Sequence, residues 1–133
     1  MDRLFLDANV LFSAAYRADA GLLQLWKLKN TALLSSRYAV EEARINLGDE
    51  DQRMRLTKLS GMIQLFEARD GPLPRGISLP EKDVPILLAA MAAHATYLLT
   101  GDIRHFGPYF GKKIGGIAIV RPGEYLRTRT GKT

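Results

Sequence analysis

The apolar positions of the chain form short unbroken runs that alternate with longer stripes of helical spacing. Leu4-Phe5-Leu6 is an apolar triplet, the pattern of a strand buried on both faces of a parallel sheet. Residues 10–16 predict a first helix. Residues 20–29 predict a second, capped by Asp19 and carrying Leu22, Leu23, Leu25 and Trp26 on its apolar stripe. Residues 31–35 predict a strand, after which Ser36 caps a helix that runs to Leu47 and stops at Gly48. Asp49 opens the next helix with Gln52 as capping-box partner, and Met54, Leu59, Met62, Ile63 and Phe66 carry its period. Residues 70–80, rich in Gly and Pro, predict a loop. Residues 83–94 are apolar nearly all round and predict a buried helix. A strand over 97–100, a long polar and glycine-rich connection over 101–116, a last strand over 117–120 and a short helix over 122–126 complete the chain. This alternation predicts an α/β fold with a parallel sheet, right-handed crossovers and helices on both faces.

At 133 residues the sequence predicts one domain over 1–127, followed by a basic tail over 128–133 expected to be disordered. The longest apolar run, 86–99, is broken by His94 and Thr96, and no run reaches the roughly 18 residues of a membrane span. No stretch resembles a signal peptide, so the expectation is a soluble, cytoplasmic protein. The absence of cysteine excludes disulfides and thiolate metal sites. With only His94 and His105 present, any metal falls to carboxylates, which favours Mg²⁺ or Mn²⁺. The net charge of +5 suits a nucleic-acid partner.

Candidate chemistry begins at Asp7, which follows the first strand. In open α/β sheets ligands bind beyond the carboxyl ends of the strands. An Asp before a helix also reads as a cap, and both readings stand. Asp102 repeats the pattern after Tyr97-Leu98-Leu99-Thr100-Gly101, where Gly101 allows a sharp turn; a plain turn Asp is the alternative. On the helix after the second strand, Ala39, Ala43 and Leu47 form an apolar row. Glu42 lies about 60° from Ala39 and Glu41 points to roughly the opposite side. Glu42 is therefore the half-buried carboxylate and Glu41 the solvated one, although a surface contact with Arg37 or Asn46 would also account for Glu42. Asp83 stands at the start of the buried helix and can cap it or face a site. Asp49, Glu50 and Asp51 read as capping and solvation. His105, in a loop, could serve as a base, but without an evident partner it reads more readily as structural or exposed. Asn9 and Ser13 can orient Asp7 or bind a ligand, and Asn9 can equally satisfy its own turn. If four acids share one pocket, 19 basic residues face 10 remaining acidic ones, a surplus of +9 on the rest of the surface.

Four segments carry a resemblance to a known family. They are LFLDANVLFSA with Asp7 and Asn9; YAVEEAR with Glu42 five residues before Leu47; DVPILLAA opening on Asp83, followed by YLLTGD ending on Asp102 and then His105-Phe106; and residues 117–126. Together they resemble PIN-domain nucleases, among them the small toxins of VapBC-like toxin–antitoxin pairs. The resemblance implies a three-layer α/β/α fold with a parallel sheet of about five strands. It implies that Asp7, Glu42, Asp83 and Asp102 converge in one pocket as the catalytic set of a metal-dependent endoribonuclease. Asp7, Asp83 and Asp102 would then ligate Mg²⁺ or Mn²⁺, with Glu42 acting through a water. Asn9 and Thr100 would orient ligands or touch substrate, and Arg104, Lys112 and Lys113 are candidates for RNA phosphates. A cognate antitoxin and a homodimer are the implied partners, with residues 10–29 as a possible docking face. The alternative is a PIN-like RNA-binding or interaction module without activity. Many relatives carry a further acid shortly after Thr-Gly-Asp; here Ile103, Arg104 and His105 stand there. A haloacid-dehalogenase-like phosphotransferase would want a second Asp where Asn9 stands.

Overall fold

In the computed structural model, which describes residues 1–129, β1 (Asp2–Leu6) is the central strand, and Leu4, Phe5 and Leu6 are fully buried. The chain continues through α1 (Ala8–Tyr16), a 3-10 segment (Gly21–Lys27), β2 (Thr31–Ser35), α2 (Arg37–Asn46), α3 (Glu50–Ser60) and β3 (Gln64–Leu65). After a loop come a 3-10 turn (Glu81–Asp83), α4 (Val84–Ala92), β4 (Tyr97–Leu99) and α5 (Ile103–Phe106). A further 3-10 turn (Gly107–Tyr109), β5 (Lys113–Ile114), β6 (Ile117–Val120) and α6 (Pro122–Arg129) follow. The sheet order is β3-β2-β1-β4-β6-β5. All neighbours are parallel except the hairpin of β5 with β6.

From β1 the chain builds outward through β2 and β3, then returns to the other side of β1 to place β4. The direction of winding therefore reverses between β1 and β4, the point at which parallel sheets open a crevice beyond their carboxyl ends. The register Leu6 opposite Leu99 sets Asp7 beside Thr100 there, and the Asp7 amide donates to the Leu99 carbonyl at 3.1 Å. Helix α4, with Ile86 to Ala90 all buried, is apolar all round as expected. Ala39, Ala43 and Leu47 are likewise buried, which fixes the roll of α2.

Several elements depart from the sequence expectation. Residues 21–27 wind as a 3-10 segment and Asp19 does not cap it; Asp19 pairs with Arg17 at 3.6 Å on the surface. A period of three puts Leu22 over Leu25 and Leu23 over Trp26. Leu25 is fully buried and the other three pack against the core. Helix α3 has its capping box, with Asp49 and Gln52, but ends at Ser60. Gly61 is a poor helix former, and Ile63 instead turns inward while Gln64–Leu65 pair with β2 as an outer strand. Met54 and Met62 are exposed, and Leu56 joins Leu59 as the buried stripe. The 101–116 connection holds α5 and β5, so the sheet has six strands rather than five. The β5–β6 hairpin turns on Gly115 and Gly116, both at positive φ (56° and 86°), as a two-residue primed turn requires. Helix α6 runs three residues past 126. Arg129 contacts Asp2 and the Tyr125 hydroxyl, so Thr128 and Arg129 of the expected tail are helical, while 130–133 lie outside the described residues. Among the described residues no helix is long and apolar enough to cross a membrane.

Candidate metal centre

Asp7, Glu42, Asp83 and Asp102 all line one cleft of about 590 Å³, together with Asn9, Ser13, Asn46, Lys82 and Gly101. Each acid arrives from a different element. Asp7 ends β1 and caps α1, its Oδ1 accepting the Ala8 amide at 2.7 Å, so the capping role and the cleft position coincide. Glu42 looks in from α2. Asp83 closes the 3-10 turn before α4, and its side chain makes no capping bond, unlike the usual Asp at that place. Asp102 follows β4 and caps α5, its Oδ1 accepting the His105 amide at 3.1 Å. Glu41 is on the solvent side, paired with Arg44. The hydrogen bond between them, with their opposite charges adding to it, draws the Glu41 carboxyl down and the Arg44 guanidinium up.

Asn9 and Thr100 form the frame behind Asp7. Thr100 Oγ1 donates to Asp7 Oδ2 at 2.8 Å and Asn9 Nδ2 donates to the same oxygen at 3.1 Å. Asn9 Nδ2 also lies 3.2 Å from Thr100 Oγ1, and Asn9 Oδ1 accepts the Gly101 amide at 2.8 Å. Thr100 Oγ1 accepts the Asp102 amide at 3.1 Å, so one hydroxyl ties two of the four acids. Gly101 is not at positive φ. A Cβ there would meet Asn9 Oδ1 at 3.4 Å, an ordinary contact.

Burial raises the Asp7 carboxyl to about 6. The bonds from Thr100 and Ala8 oppose the rise, and the charges of Asp83 and Asp102 add to it. Asp83 is also held above the usual carboxylate range, chiefly by burial. His105 draws it back, Asp102 pushes it up, Lys82 lowers it and Glu42 raises it. A pocket that strains two carboxylates toward protonation is one that a cation relieves.

Three contributors escape the sequence reading. His105 is not a free loop residue. It sits on α5, and its Nδ1 lies 2.8 Å from Asp83 Oδ2 and 2.8 Å from Asp102 Oδ2. Its signal was the three-residue spacing from Asp102, visible only once 103–106 is read as a helical turn. Tyr38, one turn before Glu42 on α2, donates its hydroxyl to the Lys82 carbonyl at 2.7 Å. Its hydroxyl is pushed up to about 12 by burial, then by its bond to Glu42 and by the surrounding acids. Lys82 is the basic residue lining the cleft, whereas Arg104, Lys112 and Lys113 are exposed and outside the lining. Among the described residues the one grouping of acids and histidine close enough to share an ion is Asp83, Asp102 and His105, within 4.8 Å of one another. Asp7 lines the same cleft as that trio. A divalent cation fits the residues present, because Asp83 Oδ2 is buried without an aligned hydrogen bond.

No family model and no curated protein matches the sequence. Solved structures do share its fold. A chain of VapBC2 from Rickettsia felis, bound to a DNA fragment from its promoter, superposes with a TM-score of 0.60 at 15% identity, covering 90% of this chain and 98% of that one. A chain of FitAB bound to an IR36 DNA fragment gives 0.53 at 18% identity, over 90% of this chain and 94% of that one. FitAcB from Neisseria gonorrhoeae gives 0.51 at 18% identity, over 90% and 98%. The architecture is a PIN-like α/β/α fold around a mostly parallel sheet.

Proposed function

We propose that the protein is a divalent-cation-dependent endoribonuclease and the toxin of a toxin–antitoxin pair. The observation that carries this reading is the convergence of Asp7, Glu42, Asp83 and Asp102 on one cleft at the switch point of the sheet. Asp83, Asp102 and Asp7 would hold Mg²⁺ or Mn²⁺, with Glu42 reaching it through a water. Such an ion supplies Lewis-acid stabilisation of phosphate oxygens and a bound water of lowered pKa. The chain's own residues supply position. Thr100 and Asn9 fix the Asp7 carboxylate, Tyr38 ties α2 to the turn that presents Asp83, and Glu42 stands where it can orient an attacking water. Lys82 at the rim can hold a phosphate, and Arg104, Lys112 and Lys113 extend the basic surface.

An antitoxin would cover the cleft, its Arg or Lys replacing the cation. A mostly apolar groove of about 550 Å³ supports this. It is lined in part by Tyr16, Leu22 and Leu126 and adjoins the cleft through Phe12 and Ser13. The test is cleavage of single-stranded RNA by the purified chain with Mg²⁺ or Mn²⁺, in the presence and absence of chelator, alongside expression of the chain alone and with its upstream neighbour. Cleavage that persists in excess chelator overturns the mechanism. RNA binding without cleavage favours the inactive module. Harmless expression and no complex with the neighbour end the toxin reading.

A further inference from the structure

His105 makes close contacts with two carboxylates, and neither contact is an aligned hydrogen bond. Its Nδ1 sits 2.8 Å from Asp83 Oδ2 and 2.8 Å from Asp102 Oδ2, yet Nδ1 and Asp83 Oδ2 are both buried with no aligned hydrogen bond. A ring nitrogen placed to bond a carboxylate would point its N–H along one of those lines. Here Nδ1 is equidistant from the two carboxylate oxygens, and the three donor atoms lie within 4.8 Å of one another. The cis edge of an octahedral ion with ligand bonds near 2.1 Å is about 3.0 Å, close to the spacing of these contacts. The Asp83 side chain is only 9% exposed, so an Oδ2 without an aligned hydrogen bond is costly to bury.

The local fold presets this arrangement. Asp102 Oδ1 accepts the His105 amide, which leaves Oδ2 free to face the ring. The next residue, Phe106, is fully buried and pins the turn.

We propose that His105 is a direct ligand of the cation, so that the centre is a mixed nitrogen–oxygen site rather than a carboxylate cage. This rests on the metal-dependent reading above and adds a consequence for metal choice. An imidazole donor adds affinity for first-row transition ions, of which Mn²⁺ is the weakest binder, and adds little for Mg²⁺, which keeps to oxygen ligands and water. The centre therefore selects Mn²⁺ over Mg²⁺.

The experiment is Mn²⁺ binding by the purified chain, followed by calorimetry and by electron spin-echo modulation, which reports nitrogen coupled to the bound ion. The wild type shows nitrogen coupling and binds Mn²⁺ more tightly than Mg²⁺. Loss of a partner one step removed from a metal typically costs 10–100-fold in affinity, so His105→Gln should lose about that much Mn²⁺ affinity or more, together with the coupling. His105→Asp should lose the coupling while its Mg²⁺ affinity approaches its Mn²⁺ affinity. The wild-type spectrum decides even if neither variant folds. If Mn²⁺ binds and Asp83→Asn abolishes binding but no nitrogen coupling is seen, this proposal fails while the nuclease reading stands. If the wild type binds neither ion, both fail.

Discussion

Thr100 Oγ1 donates a 2.8 Å hydrogen bond to Asp7 Oδ2 across the junction of β1 and β4, and Thr100 Oγ1 itself accepts the Asp102 amide. One fully buried hydroxyl thus fixes the acids at the ends of two neighbouring strands. Thr100→Val preserves the β-branched shape and removes both bonds, leaving a buried carboxylate and an amide short of a partner. We expect a loss of about 1–3 kcal/mol in urea denaturation. We also expect weaker cation binding, because Asp7 loses the bond that holds its pKa down. A variant as stable as the wild type and equally able to bind the ion would show that the hydroxyl is incidental.

Asp7 predicts a pH dependence of stability. Its carboxyl titrates at about 6 in the folded chain against an ordinary 3.8, because burial penalises the charged form. Below the lower value it is protonated in both states and its stability contribution is intact. As pH rises through the higher value that contribution is lost, amounting to about 3 kcal/mol. Asp7→Asn cannot titrate. Measured in chelator, the variant should gain on the wild type by up to about 3 kcal/mol between about pH 4 and pH 8. Parallel stability curves for the two proteins would refute the assignment.

What was legible in the sequence was whatever local chemistry alone decides. The Leu4-Phe5-Leu6 run, the Ser36 and Asp49 caps and the face of Glu42 follow from spacing and side-chain type. The 3-10 winding of 21–27 was not legible, because Leu22, Leu23, Leu25 and Trp26 fit a period of 3.6 about as well as a period of 3. The end of α3 was lost because Met62, Ile63 and Phe66 continue a helical period past Gly61, and only pairing with β2 turns Gln64–Leu65 into a strand. The partners of His105 were missed for a related reason. Asp83 is 22 positions away in sequence, and only the fold brings the turn before α4 against His105.

Cation binding should stabilise the fold. The acids in the cleft repel one another when ionised, and an ion that binds only their folded arrangement shifts the equilibrium by mass action. At a free concentration about 100 times its Kd, the gain is about 2.7 kcal/mol. Scanning calorimetry should show a melting temperature that rises with Mn²⁺ or Mg²⁺ and returns to baseline with chelator. Asp83→Asn should abolish the rise, since Asp83 supplies the buried oxygen without an aligned hydrogen bond. A wild-type melting temperature indifferent to either ion would contradict the metal centre.

Glu41 and Glu42 offer the sharpest contrast, because two identical side chains sit one residue apart on α2. A step of 100° along the helix turns them to different environments. Glu41 is exposed and paired with Arg44 on its own helix, an arrangement solvent largely screens. Glu42 is half-buried, lines the cleft, and bears on the Tyr38 hydroxyl that ties α2 to Lys82. Glu41→Gln should therefore leave RNA cleavage and the metal-induced rise in melting temperature unchanged. Glu42→Gln keeps the shape and removes the charge. Removing one positioned proton-transfer or water-orienting group typically costs 10²–10⁴-fold, so we expect cleavage to fall by about 10² or more. Metal-free stability should hold or increase, because one repelling charge leaves the pocket. Equal effects from the two substitutions would mean that the roll of α2 is wrong and that Glu42 has no part in the centre.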